Sequence, residues 1–147
     1  MKVLADTSVW SLALRRKEQS EIVKQLTNLI LESMIVMIGP VRQELLSGIP
    51  DRAVFDNLKT KLQSFDDLPI TTRDYEVAAD FFNICRKNGV QGSHIDFLIC
   101  AAAHNNKLLI LFDLRISSPA ASISAWVSCL GAKTTYHFKS WIGKCLA

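Results

Sequence analysis

The sequence predicts an α/β protein, a parallel sheet with helices on both faces. Three observations predict it. Short apolar, β-rich runs alternate with segments of helical periodicity along the chain, the pattern of consecutive βαβ units. Acids directly follow two of those runs, Asp6 after Val3-Leu4-Ala5 and Asp113 after Leu108–Phe112. The chain has 147 residues, 49% of them apolar, which suits one domain around one core.

Lys2–Asp6 reads as a short buried strand. Glu21–Leu31 reads as a helix, because Ile22, Leu26, Leu29 and Ile30 recur at helical spacing, with Ser20 as its N-cap. Met34–Ile38 is a second strand. Pro40 suits the first turn of a short helix to Leu46, closed by Gly48. Arg52–Gln63 repeats Val54, Phe55, Leu58 and Leu62 as an amphipathic helix. Leu68–Ile70 is a third strand. Thr71 or Thr72 caps a longer helix through Asn88, with Gly89 as its stop. Ser93–Asn105 is a helix apolar on nearly every side, hence buried. Leu108–Phe112 is the fourth strand.

Composition narrows the function classes. No stretch approaches the ~20 apolar residues that span a bilayer. Asp6 breaks the N-terminal apolar run too early for a signal peptide. Cys85, Cys100, Cys129 and Cys145 form no C-x-x-C pair. That argues for reduced, buried thiols in a cytoplasmic protein and against a zinc site. There is no G-x-S-x-G elbow, no G-x-x-x-x-G-K-[ST] and no G-x-G-x-x-G. The net charge of +3 is uneven: residues 1–113 carry −1, and residues 114–147 carry +4 with no acid at all. A basic segment can meet a phosphate backbone, although on charge alone an ordinary solvated surface explains it better.

Four acids form the candidate site: Asp6, Glu44, Asp96 and Asp113. Ligands in open α/β sheets bind at the C-terminal strand ends. Carboxylates converging there repel unless a cation holds them. Each acid also has a plainer explanation. Asp6 heads Asp6-Thr7-Ser8 and can cap a helix, Glu44 can be a solvated helical residue, and Asp113 can cap a loop. Ser93 and Asp96 form an S-x-x-D capping pattern. Against that plain reading, Asp96 lies among Ile95, Phe97, Leu98, Ile99 and Cys100, and a buried carboxylate needs a partner. Hard oxygen donors without a His or Cys pair point to Mg²⁺ or Mn²⁺.

The segments V-L-A-D-T-S-V-W, G-P-V-R-Q-E-L-L-S-G, G-S-H-I-D-F-L-I-C-A-A-A and K-L-L-I-L-F-D resemble the four acidic motifs of PIN domains, in particular the VapC-type toxins of toxin–antitoxin pairs. The resemblance covers residues 1–113. It implies a three-layer α/β/α sandwich around a five-stranded parallel sheet. It implies an endoribonuclease dependent on Mg²⁺ or Mn²⁺ and silenced by a VapB-like antitoxin. Asp6, Glu44, Asp96 and Asp113 fill its acidic quartet, with Asp6 and Asp96 nearest the metal. Ser8 matches the small hydroxyl residue that accompanies the first acid. The expected partners are thus RNA, a cognate antitoxin and a second copy of the chain as a homodimer, with no membrane. Arg15, Arg16 and Lys17 follow the first motif and are candidates for the RNA backbone, or simply a solvated basic cluster.

The chain departs from the family pattern after Asp113. The family usually has a further Asp or His there, followed by Phe, whereas this chain reads Leu114-Arg115-Ile116-Ser117-Ser118-Pro119. The sequence therefore divides into a PIN-like domain, residues 1–116, and an atypical basic tail, residues 117–147. The tail holds one ambiguous strand candidate, Lys133–Phe138. It reads either as an extension for RNA or dimer contacts or as the product of a reading-frame change. Two functional classes remain open: the metal-dependent ribonuclease toxin, and a catalytically impaired module that binds RNA or antitoxin. A phosphotransfer domain of flavodoxin-like type fits poorly, because Thr7 and Ser8 follow Asp6 where a second acid is wanted.

Overall fold

The structure, a computed structural model, describes residues 1–15 and 20–113. Its elements run β1 (Val3–Ala5), α1 (Thr7–Leu14), α2 (Glu21–Leu31), β2 (Ile35–Val36), α3 (Gly39–Leu46), α4 (Arg52–Leu62), α5 (Thr72–Lys87), α6 (His94–Asn105) and β3 (Leu109–Leu111). The strands form a parallel sheet in the order β2-β1-β3. Val3 pairs with Ile35 on one side and with Leu109 on the other. Arg16, Lys17, Cys129, Cys145, the Lys133–Phe138 strand candidate and the tail 117–147 lie outside the described residues.

Successive strand residues point to opposite faces of a sheet. Val3, Leu4 and Ala5 are all buried, so β1 is covered on both sides, as a parallel sheet requires. The larger core joins β1, β2 and β3 to Val9 and Trp10 of α1, Leu26 of α2, Val41 and Leu45 of α3, and Leu58 and Leu62 of α4. A second cluster packs Ala78 and Cys85 of α5 against Phe97, Leu98, Cys100 and Ala101 of α6. Helix α6 serves both, because Ile99, Ala102 and Ala103 belong to the larger core. Its apolar circumference follows from that double duty.

Local signals explain the element ends. Gly48 and Gly89 follow the C-caps of α3 and α5 and take φ of 78° and 73°, the left-handed geometry that glycine adopts without a Cβ penalty. Asp51 caps α4 by accepting from the Val54 amide at 2.8 Å. Ser20 does precede α2, but its hydroxyl makes no cap hydrogen bond.

Two expectations need correction. Leu68–Ile70 is not a strand. It is reduced to one isolated parallel bridge between Met37 and Asp67, with the Leu68 amide donating to the Met37 carbonyl at 2.7 Å. Pro69 has no N–H with which to continue a ladder. Among the described residues the sheet therefore has three strands and this bridge; the final strand of the five that the resemblance implies falls outside them. Val54, placed on the apolar face of α4 by its spacing, is 56% exposed.

Candidate active site

Asp6 ends β1 and starts α1. Its amide donates to the Leu111 carbonyl at 2.8 Å, so the chain leaves the sheet at this residue. As the N-cap of α1, its Oδ2 accepts from the Ser8 amide at 3.2 Å and from the Ser8 hydroxyl. The capping explanation of Asp6 is thus realised, and it accounts for one carboxylate oxygen only. Oδ1 has no hydrogen-bond partner among the described residues.

Asp96 behaves in the same way. It is the third residue of α6, where Ser93 and Asp96 close a reciprocal capping box. The Ser93 amide donates to Asp96 Oδ2 at 2.7 Å, and the Asp96 amide donates to Ser93 Oγ at 3.2 Å. Asp96 is only partly buried, contrary to the expectation from its apolar neighbours. Phe97 and the residues after it turn into the core, whereas Asp96, at the helix mouth, turns away from it. Burial pushes its carboxyl up, the two Ser93 hydrogen bonds oppose that, and the charges of Asp6 and Glu44 push it up further, leaving it above 3.8.

Glu44 is exposed on α3. Its Oε2 accepts a 2.7 Å hydrogen bond from the Thr7 hydroxyl. Thr7 was absent from the sequence-based set. The signal was its place between Asp6 and Ser8, where α1 begins. Asp113 is buried and lies two residues past the end of β3, the strand that pairs with β1. Arg15 is the C-cap of α1 and exposed. At 1.5 Å of rise per residue it stands roughly 13 Å along the helix from Asp6.

Asp6, Asp96 and Glu44, from three elements, lie near enough for the charges of Asp6 and Glu44 to act on Asp96. Among the described residues, no three His, Cys, Asp or Glu side chains form a ready-made metal cage. The donor chemistry nevertheless fits a hard cation. The groups are carboxylates, and among the described residues each of the three has one oxygen without a hydrogen bond. Mg²⁺ retains several waters and takes only one or two direct carboxylates. The nearby Cys100 is no nucleophile: burial, then the charges of Asp96, Cys85 and Asp6, hold its thiol far above the ordinary range and keep it protonated. Beside Glu44 lies a groove of about 610 Å³, lined in part by Leu14 of α1 and by Val54, Leu58 and Lys61 of α4.

The sequence profile of the PIN domain matches residues 3–121. The chain belongs to the PIN domain family. Members of that family are generally nucleases, and they typically use divalent metals. Among solved structures, this PIN domain is similar in fold to FitAcB from Neisseria gonorrhoeae, with a TM-score of 0.61 and 24% identity over 74% of this chain and 84% of that chain. No curated protein sequence matches this PIN domain. None of its described helices is long and apolar enough to cross a membrane.

Proposed function

We propose that this protein is a Mg²⁺- or Mn²⁺-dependent endoribonuclease and the toxin of a toxin–antitoxin pair, restrained by a VapB-like antitoxin. One observation carries the reading: Asp96 at the start of α6 lies within reach of the charges of Asp6, at the C-terminal end of β1, and of Glu44 on α3, within a family of nucleases. Capping alone does not require acids from three elements to lie within reach of one another's charge.

Asp6 and Asp96 would hold the ion through the oxygens that their caps leave free. Ser8 and Ser93 fix the other oxygen of each, which sets the direction of the free one. Glu44, held by Thr7, orients water at the site, and Asp113 completes the quartet. A bound divalent ion lowers the pKa of its water and offsets the charge that develops on the phosphate. The chain's own groups then position the RNA phosphate and exclude a thiol pathway, because Cys100 stays protonated. The homodimer remains part of this proposal.

The deciding experiment is RNA cleavage by purified protein with Mg²⁺ or Mn²⁺, against excess chelator. Asp6→Asn and Asp96→Asn should each abolish cleavage and leave the circular dichroism spectrum intact. Cleavage that persists in chelator, or in both variants, would overturn the assignment. A wild type that binds RNA or antitoxin without cutting RNA would instead make the domain a binding module.

A further inference from the structure

A second group of side chains flanks the acidic cluster, and the reaction above does not use it. Residues 81–95 contain Arg86 and Lys87 and no acid. They span the end of α5, a glycine-containing loop and the start of α6. A cavity of about 320 Å³ opens here, lined by Phe82, Arg86, Gly89, Val90, Gln91 and Gly92. That volume lies at the lower end of the range for ligand pockets.

Phe82 is the aromatic wall of the cavity. The Arg86 guanidinium stands 5.8 Å from its ring centre. His94 stacks on the same ring at 5.2 Å and 18°. Phe97, buried in the second core, braces the ring edge-on at 5.5 Å. The ring is thus anchored from within, while His94 and Arg86 are exposed. Planar rings beside a guanidinium, in a segment without acids, suit single-stranded nucleic acid: bases stack on aromatic faces, and the cation meets phosphate.

Position links this cluster to the acids. Gly92 of the cavity wall directly precedes Ser93, whose amide is bonded to Asp96 at 2.7 Å. His94 lies two residues before Asp96 in the first turn of α6. Residues two apart on a helix face different sides, so a strand with one phosphate at the carboxylates would reach this surface with a neighbouring nucleotide by bending round the N-terminus of α6. The acids repel a polyanion, so a flanking cationic and aromatic surface supplies the attraction that they lack.

We propose that Phe82, Arg86 and His94 form a nucleotide subsite for single-stranded RNA, stacking the base beside the scissile bond and meeting its phosphate. The subsite rests on the ribonuclease reading above. The test is fluorescence anisotropy of a labelled, unstructured oligoribonucleotide in Mg²⁺, with Asp6→Asn protein as parent so that the strand stays intact. Phe82→Leu and His94→Ala should each weaken binding about five- to a hundredfold. Phe82→Tyr, which keeps the ring, should bind as the parent does. Arg86→Gln should weaken binding and reduce the salt slope by about one. An abasic oligomer should lose the response to His94→Ala and keep the response to Arg86→Gln. If Phe82→Leu melts early, the other two variants carry the test. Affinities equal to the parent's in all folded variants overturn the subsite and leave the nuclease reading standing. A parent that does not bind RNA overturns both.

Discussion

The hydroxyl of Thr7 donates a 2.7 Å hydrogen bond to Glu44 Oε2, joining α1 to α3 across 37 positions of sequence. It places an acid that has no strand-end position of its own next to the one that does. Glu44 is exposed and otherwise free to rotate, so this hydroxyl limits where its carboxylate can go.

Thr7→Val should therefore reduce metal-dependent RNA cleavage by about tenfold, the usual cost of removing a partner that orients a site ligand. Stability should change little, because the bond is solvent-exposed. Thr7→Ser should restore most of the rate. Steady-state cleavage assays with thermal melts on both variants check this. A Val variant with full activity would remove Glu44 positioning from the account.

Asp96 should cost the metal-free protein stability. Its folded pKa is raised above 3.8, so the penalty is absent below the unfolded pKa and grows as pH rises through the folded one. At neutral pH, Asp96→Asn should raise the metal-free melting temperature by roughly 2–4 °C, and the gap should close near pH 3. Added Mn²⁺ should stabilise the wild type more than the variant. If Asp96 is a cap alone, Asn costs the favourable charge at the helix start and the variant melts lower. Melts with chelator and with Mn²⁺ separate the two.

Arg42 clamps the segment that follows α4. Its guanidinium bonds both oxygens of Asp67 at 2.8–3.1 Å and the carbonyls of Leu62 and Phe65 at 2.8 Å. A lysine cannot reproduce that planar fork. Arg42→Lys should destabilise the protein by about 1–3 kcal/mol. Because Arg42 shares α3 with Glu44, cleavage should fall with stability and recover on cooling. Urea unfolding and a temperature series of activity would show this. Unchanged unfolding midpoints would mean that the clamp contributes nothing.

Asp74 and Asn105 should govern acid stability. Asp74 is buried at 2% exposure. Burial alone raises its carboxyl, but hydrogen bonds from Asn105 at 2.8 Å and from the Thr71 amide and hydroxyl at 2.7 Å, with the charge of Arg73, bring it below 3.8. Its contribution is present above the unfolded pKa and is lost as pH falls through the folded one. Asp74→Ala should cost about 2–3 kcal/mol at pH 7 and much less at pH 2. Denaturant titrations at both values measure the difference. A cost that does not change with pH would assign the effect to packing.

The local features were legible in the sequence because neighbouring residues decide them. The Ser93–Asp96 box, the glycine stops at Gly48 and Gly89, the turn at Asp6 and the helical spacing of α2 each depend on residues within a few positions. The alternation of apolar runs and helices determined a parallel sheet, and the acids marked its C-terminal edge. Helix α1 is not delimited by the sequence, because its start coincides with Asp6, an acid that also reads as a ligand.

Tertiary structure alone decided the rest. Leu68–Ile70 had the composition of a strand, yet its neighbour among the described residues, Met37, is followed by Ile38, already the N-cap of α3. With Pro69 lacking a donor, two hydrogen bonds could form between the segments and no ladder could follow. Asp96 looked buried because residues near in sequence are apolar, but neighbours on a helix point in different directions: Phe97 enters the core while Asp96, beside it in the same turn, stays partly exposed. The Thr7–Glu44 and Asp74–Asn105 pairs join residues 37 and 31 positions apart. No periodicity specifies such pairs. They exist because packing brings helix ends together, where a charged or polar group must find its partner in space.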